Sequence, residues 1–159
     1  MFSSMQNSGS FAEAVPGYNN EINRRPSAGV TNQITEIIYR FYHLLTNNCK
    51  DIALLCEPDV RLYCQGQRNH GLKNVLMFCE KFFNLVYTIS QIDVMDLAVN
   101  TPYNQIGFKV VVFGCFESKD NIKHFKHEFK IVDIDSNYKI TKCNFIYNNE
   151  FLWKLRTIQ

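Results

Sequence analysis

The sequence predicts an α+β domain in which three helices pack on a strongly bent antiparallel sheet. The stretch Ile106–Phe116 is apolar at both odd and even positions, which is typical of a strand that is covered on two sides. The stretch Lys123–Ile131 alternates instead: its odd positions from Phe125 onward are apolar apart from His127, and its even positions are polar or charged. That alternation is typical of a strand with one wet face. Helical patterns precede these strands, so we expect the helices to fill the concave side of the sheet.

The helices are predicted from apolar residues that recur at helical spacing. The first begins at Thr31 or Asn32, either of which can cap a helix. A short second helix covers Lys50–Cys56 and ends before Pro58. The third covers Leu72–Leu85. The helices come early in the chain, which favours an α+β order over the alternation of an α/β protein.

Five strands are predicted, and the last four follow one another without a helix between them. The five cover Val60–Cys64, Tyr87–Val99, Ile106–Phe116, Lys123–Ile131 and Tyr138–Tyr147. Polar turns join the consecutive strands. We therefore expect each strand to pair with its chain neighbour in an antiparallel sheet.

Composition divides the 159 residues into a tail and one domain. Residues 1–30 are rich in Ser, Gly, Pro and Asn, lack a periodic apolar pattern, and are predicted to be disordered. Residues 31–157 form the predicted domain, which is long enough to bury a core without disulfides. The chain has no secretory signal pattern and no apolar run of the roughly 20 residues that a membrane helix needs. We therefore expect an intracellular protein without a membrane contact.

Charge and cysteine usage argue against several classes of function. A net charge of +2 is close to balance, whereas a protein that binds nucleic acid mainly through phosphates carries a stronger basic excess. The six cysteines lie far apart among apolar residues, without a C-x-x-C pair, and are predicted to be core thiols. His124 and His127 fall on opposite faces of one strand, so they cannot share a metal ion. We predict no metal and no cofactor.

Four segments along this chain resemble the nuclear transport factor 2-like superfamily. They are RFYHLLTNN, DVRLYCQGQRNHGLKNV, HFKHEFKI and CNFIYNNEFLW. The resemblance is closest to the RNA-export cofactor and stress-granule nucleator domains of that superfamily, and it implies a cone-shaped α+β fold. The superfamily also includes a carrier of the GTPase Ran and enzymes of the ketosteroid isomerase and scytalone dehydratase kind. The resemblance therefore leaves the function open.

An enzyme or small-molecule binder that uses the cone cavity is the alternative interpretation. The resemblance implies an acidic base and hydrogen-bond donors inside the cone, and the candidate polar residues there are His127 and Tyr63. Asp133 lies about 20 Å along the strand from His127, which is too far for the two to act together. We therefore predict a protein that is not an enzyme, with His127 as a core residue bonded to a neighbour.

The residues disfavour Ran binding and strong RNA binding. The resemblance places three acidic ligands of the Ran carrier at Gln65, Ser118 and Asp120, and two of these are not acidic here. Most of the charge-assisted bonds to Ran would be lost. Basic residues rim the predicted hairpin, namely Lys109, Lys119, Lys123, Lys126 and Lys130. A solvated sheet face explains this rim, and a weak direct RNA contact is the alternative.

Protein binding is the function that remains, either as a homodimer or as a heterodimer with a related domain. The resemblance implies pairing through the outward face of the sheet, for which we predict Val110, Val112, Phe116, Ile140 and Ile146. It also implies a groove for Phe-containing peptides of transport or RNA–protein factors, for which we predict Ile37, Phe41, Phe145 and Phe151. We therefore predict an adaptor in RNA export, nucleocytoplasmic transport or ribonucleoprotein assembly, located in the nucleus and cytoplasm.

Overall fold

The computed structural model describes residues 25–82, 85–98, 106–118 and 121–146. It confirms an α+β architecture, with three helices and one open six-stranded sheet in this part of the chain. The strands lie side by side in the order β2-β1-β6-β5-β4-β3. They cover Cys56–Cys64 (β1), Gln67–His70 (β2), Tyr87–Ala98 (β3), Ile106–Ser118 (β4), Asn121–Ile134 (β5) and Asn137–Ile146 (β6).

The helices correspond to the predicted ones, with different ends. Helix α1 covers Ala28–Asn47 and begins before the predicted start, because Ser27 caps it and accepts a hydrogen bond from the Val30 backbone N–H. The second predicted helix is a 3₁₀ helix, Cys49–Leu55. Helix α2 covers Leu72–Phe82. The predicted tail at residues 1–24 lies outside the described residues.

The sheet differs from the prediction in two respects. Strand β2 follows β1 through a two-residue turn in which Gln65 and Gly66 have φ of 50° and 85°, the left-handed geometry of a tight hairpin. Strand β1 then runs parallel to β6, with Leu62 beside Cys143. The sheet is therefore mixed rather than antiparallel throughout.

All three helices pack on the same face of the sheet, here called the inner face. Their buried residues, including Phe41, Ile52 and Val75, join one core cluster with Val110 of β4 and Phe129 of β5. The ring centroids of Phe41 and Phe129 lie 5.1 Å apart, edge to face. The opposite side of the sheet, here called the outer face, carries no described helix.

Two β-bulges interrupt the regular strand pairing. In each bulge the hydroxyl of the extra residue donates a hydrogen bond to a backbone carbonyl of the neighbouring strand. Ser90 is the additional residue in the β3–β4 register, and its Oγ donates to the Phe113 carbonyl at 3.0 Å. Thr141 is the additional residue between β5 and β6, and its Oγ1 donates to the Lys130 carbonyl at 3.2 Å. Bulges of this kind increase the local bend of a sheet, which curves the sheet around α1.

The close packing at Gly114 of β4 makes a first prediction. A Cβ at this position would collide with the Thr88 carbonyl oxygen and would lie 2.8 Å from Cζ of Phe125. Gly114→Ala is therefore expected to lower the free energy of unfolding by about 2 kcal/mol, measured by urea denaturation. Gly29→Ala is the matched control, because nothing lies within 4 Å of a Cβ there. Equal effects of the two substitutions would contradict the packing.

Candidate functional site

The interior of the cone holds a polar pair, Tyr42 of α1 and His127 of β5. Tyr42 Oη and His127 Nδ1 share a hydrogen bond of 2.5 Å. The imidazole is fully buried and lies between the rings of Phe125 and Phe145, with centroids 4.1 and 3.9 Å away. Tyr42 is 4% exposed, so both members of the pair are buried.

Burial sets the charge of this pair. Loss of solvation lowers the pKa of His127 well below its ordinary value, so the ring is neutral. Burial, with smaller contributions from Tyr87 and Cys143, raises the pKa of Tyr42 well above its ordinary value, so the phenol keeps its proton. A neutral imidazole and a neutral hydroxyl satisfy one another at a dry site. The expectation that His127 is a core residue with a bonded neighbour agrees with this geometry.

The described carboxylates of the inner face lie away from the pair. Asp96 of β3 stands opposite Phe108, whereas His127 stands opposite Val112. Val112 is four positions after Phe108 on β4, which corresponds to about 13 Å along the strand. Asp133 is opposite Tyr138 near the other end of β5. The arrangement therefore brings a hydroxyl and an imidazole together without an adjacent Asp96 or Asp133.

Tyr63 does not belong to the interior, so its assignment to the cavity is wrong. It pairs with Asn144 in the β1–β6 register, while the inner positions on either side are Leu62 and Cys64. Side chains alternate along a strand, which places Tyr63 on the outer face. The Lys142 ammonium lies 5.1 Å from the centroid of its ring.

The predicted outward surface is also wrong for four of its five residues. Val110, Val112, Phe116 and Ile140 belong to the buried core. The reason is the register: Val112 is paired with His127 and Val110 with Phe129, and directly paired residues share a face. Ile146, which pairs with Lys126, is half-buried and lies on the outer face.

The residues of β4 that face outward are the odd-numbered ones. Val111, Phe113 and Cys115 alternate with the core residues, and Met95 of β3 lies diagonally beside Val111. Val111 is only 8% exposed although it is not part of the core cluster. We refer to Met95, Val111, Phe113 and Cys115 as the outer patch. It is an apolar strip on the face that the described helices leave uncovered.

The predicted peptide groove is only partly formed by the residues chosen for it. Phe41 and Phe145 are buried in the core, 6.2 Å apart between ring centroids, so they cannot line a groove on the surface. Phe151 lies outside the described residues. Ile37 is half-buried and lines a surface depression of about 380 Å³.

This depression lies between α1, the end of the 3₁₀ helix and the turn from β5 to β6. Leu54, Leu55 and Tyr138 line it together with Ile37, and Leu54 is 62% exposed. The Lys139 ammonium donates to the Leu54 carbonyl at 2.8 Å, which ties β6 to the 3₁₀ helix at this point. The remaining lining residues are polar or charged: Gln33, Glu36, Arg40, Ser136, Asn137 and Lys139. We refer to these ten residues as the α1 depression.

The cysteines lie largely in the core, as predicted. Cys56, Cys64, Cys79 and Cys143 are all members of the core cluster. Burial raises the pKa of the Cys64 thiol to about 11, which keeps that thiol protonated and unreactive. In the part of the chain that the structure describes, no three His, Cys, Asp or Glu side chains are grouped as metal ligands. No helix in that same part is long and apolar enough to cross a membrane.

Comparison with known proteins gives matches in structure alone. No family model matches the chain, and no curated protein matches it in sequence. Nuclear transport factor 2 from Cryptosporidium parvum superposes with a TM-score of 0.61 at 20% identity, over 80% of this chain and 99% of that one. An NTF2-like protein of unknown function from Pseudomonas putida superposes at 0.62 with 11% identity, over 79% and 93% of the two chains.

An enzyme-related structure matches as well. A putative scytalone dehydratase from Novosphingobium aromaticivorans superposes with a TM-score of 0.56 at 16% identity, over 74% of this chain and 83% of that one. Likeness at such low identity shows the fold and leaves the activity open.

The geometry and the comparisons together define the class of protein. It is an α+β domain with helices on the inner face of a bent open sheet, an aromatic interior and an apolar strip on the outer face. The chain has the nuclear transport factor 2-like fold, which is the fold that the sequence resemblance implied.

Proposed function

We propose that this chain is a non-enzymatic interaction domain that binds a second folded domain through the outer face of its sheet. In this proposal it acts as an adaptor in RNA export, nucleocytoplasmic transport or ribonucleoprotein assembly, in the nucleus and cytoplasm. The pathway and the location rest on the resemblance to adaptor members of the superfamily. The use of the outer face rests on the geometry of this chain.

The outer patch is the observation that carries the proposal. Val111, Phe113 and Cys115 form an apolar line along β4 on the face without a described helix. A strand with apolar side chains on both faces is typical of strands that are covered on both sides. A contiguous apolar strip on a surface is typical of sites that bind another protein. A second domain laid against the sheet would provide that cover.

The α1 depression is proposed as a second, smaller contact for a peptide. Its apolar lining, formed by Ile37, Leu55 and Tyr138, suits one apolar or aromatic side chain. The charged rim includes Glu36 and Arg40, which can pair with groups beside that side chain. A Phe-containing segment of a transport or RNA–protein factor has the required chemistry.

Catalysis inside the cone is the alternative, and the interior supports it less well. Proton abstraction needs a base with a suitable pKa within hydrogen-bond reach of its substrate. His127 is neutral and could accept a proton, but its Nδ1 is bonded to Tyr42 and its ring is stacked on both sides. Neither Asp96 nor Asp133 is placed to assist it.

Self-association through the outer patch tests the proposal. Sedimentation velocity at about 100 µM protein and about 0.5 M salt screens repulsion between surface charges. The wild-type chain is expected to associate under these conditions, and Phe113→Asp is expected to weaken that association at least about tenfold. Met77→Asp is the matched control, because Met77 is 59% exposed but lies on α2. Equal behaviour of the two variants would contradict the use of the outer patch, and a monomeric wild type would contradict self-association through it.

A further inference from the structure

A row of basic side chains crosses the outer face at one level. Lys109 of β4 is paired with Lys130 of β5, Lys130 with Lys142 of β6, and Lys142 with Arg61 of β1. Directly paired residues share a face, and adjacent strands are about 4.8 Å apart, so the four cations span about 14 Å. We refer to these four residues as the cation row. It runs beside the outer patch, because Lys109 and Val111 are neighbouring outward positions of β4.

The cation row breaks the usual rule of sheet pairing. Like charges placed directly opposite each other destabilise a sheet, and here the same sign is repeated across four strands. Lys142 and Arg61 are exposed, and Lys109 and Lys130 are half-buried. Lys142 is partly compensated by the Tyr63 ring, but the other three cations have no such contact among the described residues. A local rule broken in this way is typical of functional surfaces. The row therefore indicates a partner that carries the opposite charge.

The neighbouring carboxylates do not neutralise the row. At the next level of the sheet, Asp93 lies 4.0 Å from Arg25, and Glu128 lies 3.4 Å from Lys126. Within the described ranges, no carboxylate lies within ion-pair distance of a cation of the row. Burial and Asp59 raise the pKa of Glu57, whereas Lys130 and Arg61 oppose that rise. The pKa of Glu57 therefore responds to two cations of the row, although Glu57 forms no ion pair with either of them.

We infer that the partner of the outer face is a protein domain whose contacting surface is acidic, and not a second copy of this chain. The inference rests on the proposed function, since it specifies the partner for the same face. Two identical copies would bring two cation rows into one interface, and like charges across an interface oppose association. An acidic surface would turn the same row into a source of attraction and specificity.

The apolar neighbours of the row favour a protein over a nucleic acid. Met95 and Phe113 are half-buried and offer a partner protein an area to bury, but they offer nothing to a phosphate backbone. Nucleic acid is therefore an outcome to be tested and not the partner proposed.

A charge-reversed copy of this chain serves as the probe. Lys109→Glu combined with Lys130→Glu presents an acidic version of the same face. At about 50 mM salt, the wild type is expected to bind this acidic copy at least about tenfold more tightly than it binds itself. Raising the salt to about 0.5 M should remove most of the difference, because exposed charges are then screened.

A second double variant controls for overall charge. Lys50→Glu with Lys73→Glu makes the same change in net charge, at exposed positions of the 3₁₀ helix and α2. The wild type should not prefer this copy over itself. Circular dichroism and thermal unfolding establish that both double variants are folded.

Three other outcomes would contradict the inference, each for a different reason. Equal affinity of the wild type for itself, the acidic copy and the control copy would overturn it and leave association through the outer patch standing. An absence of association in every mixture, including at high salt, would remove the proposed function as well. Binding of a labelled single-stranded RNA that is lost in the acidic copy and falls steeply with salt would assign the row to nucleic acid.

Discussion

Replacing His127 with alanine is expected to lower the free energy of unfolding by about 3–5 kcal/mol. The imidazole fills the space between Phe125 and Phe145, so its removal leaves a cavity that these rings close only in part. The substitution also leaves the buried Tyr42 hydroxyl without its partner, which adds the desolvation cost of an unpaired polar group. Both losses act at the centre of the core.

Urea denaturation of two histidine variants measures this effect. His124→Ala is the matched control, because His124 is half-buried on the outer parity of the same strand. It should change the free energy of unfolding by less than about 1 kcal/mol. Similar losses in the two variants would show that His127 does not occupy the core.

A double-mutant cycle separates packing from the hydrogen bond. Tyr42→Phe alone and His127→Phe alone each remove one side of the Tyr42–His127 hydrogen bond, at a cost of about 1–3 kcal/mol. The double substitution removes both polar groups and keeps two rings, so it should cost less than the sum of the single effects. Additive effects would mean that the two groups do not bond in solution.

The main features of this fold could be predicted from the sequence because they depend on local patterns. The alternation from Phe125 to Ile131 predicted the inner side of β5, and those odd residues do form the core with His127 among them. The apolar face of α1 was predicted in the same way, and Ile34, Ile38 and Leu45 are fully buried. Periodicity is a strong signal wherever one face is wet.

The outward face of β4 could not be predicted from β4 alone. A strand with apolar residues at both parities has no wet side from which to assign its faces. The necessary signal was in the hairpin: a turn centred between Phe116 and Lys123 pairs Val112 with His127, as the structure shows. His127 belonged to the inner side, so Val112 had to belong there too. The cation row follows from the same register and was missed for the same reason.

The pairing of β1 with β6 could not be predicted for a different reason. The two strands are parallel and far apart in the chain, so no turn records their register. The outward position of Tyr63, in contrast, could have been predicted from β1 itself, because Val60, Leu62 and Cys64 alternate with Arg61 and Tyr63. The two-residue turn before β2 was missed because Gln65 occupies a left-handed position that glycine usually marks.

The stability of the domain is expected to fall as the pH drops below about 6.5. Burial lowers the pKa of His127 in the folded state, whereas an unfolded histidine titrates near 6.5. Above that pH both states are neutral at this residue, and the contribution of the buried ring is complete. Below it the unfolded chain takes up a proton that the folded chain does not, so the free energy of unfolding falls by up to about 1.4 kcal/mol per pH unit.

Urea denaturation between about pH 7.5 and 5 gives the measurement, because most carboxylates titrate below that range. The variant that combines Tyr42→Phe and His127→Phe removes this titration and keeps His43, His70 and His124. Between pH 7.5 and pH 5 the free energy of unfolding of this variant should fall by about 2 kcal/mol less than that of the wild type. Parallel pH profiles for the two proteins would show that His127 takes up its proton equally in both states, which a ring closed between Phe125 and Phe145 does not allow.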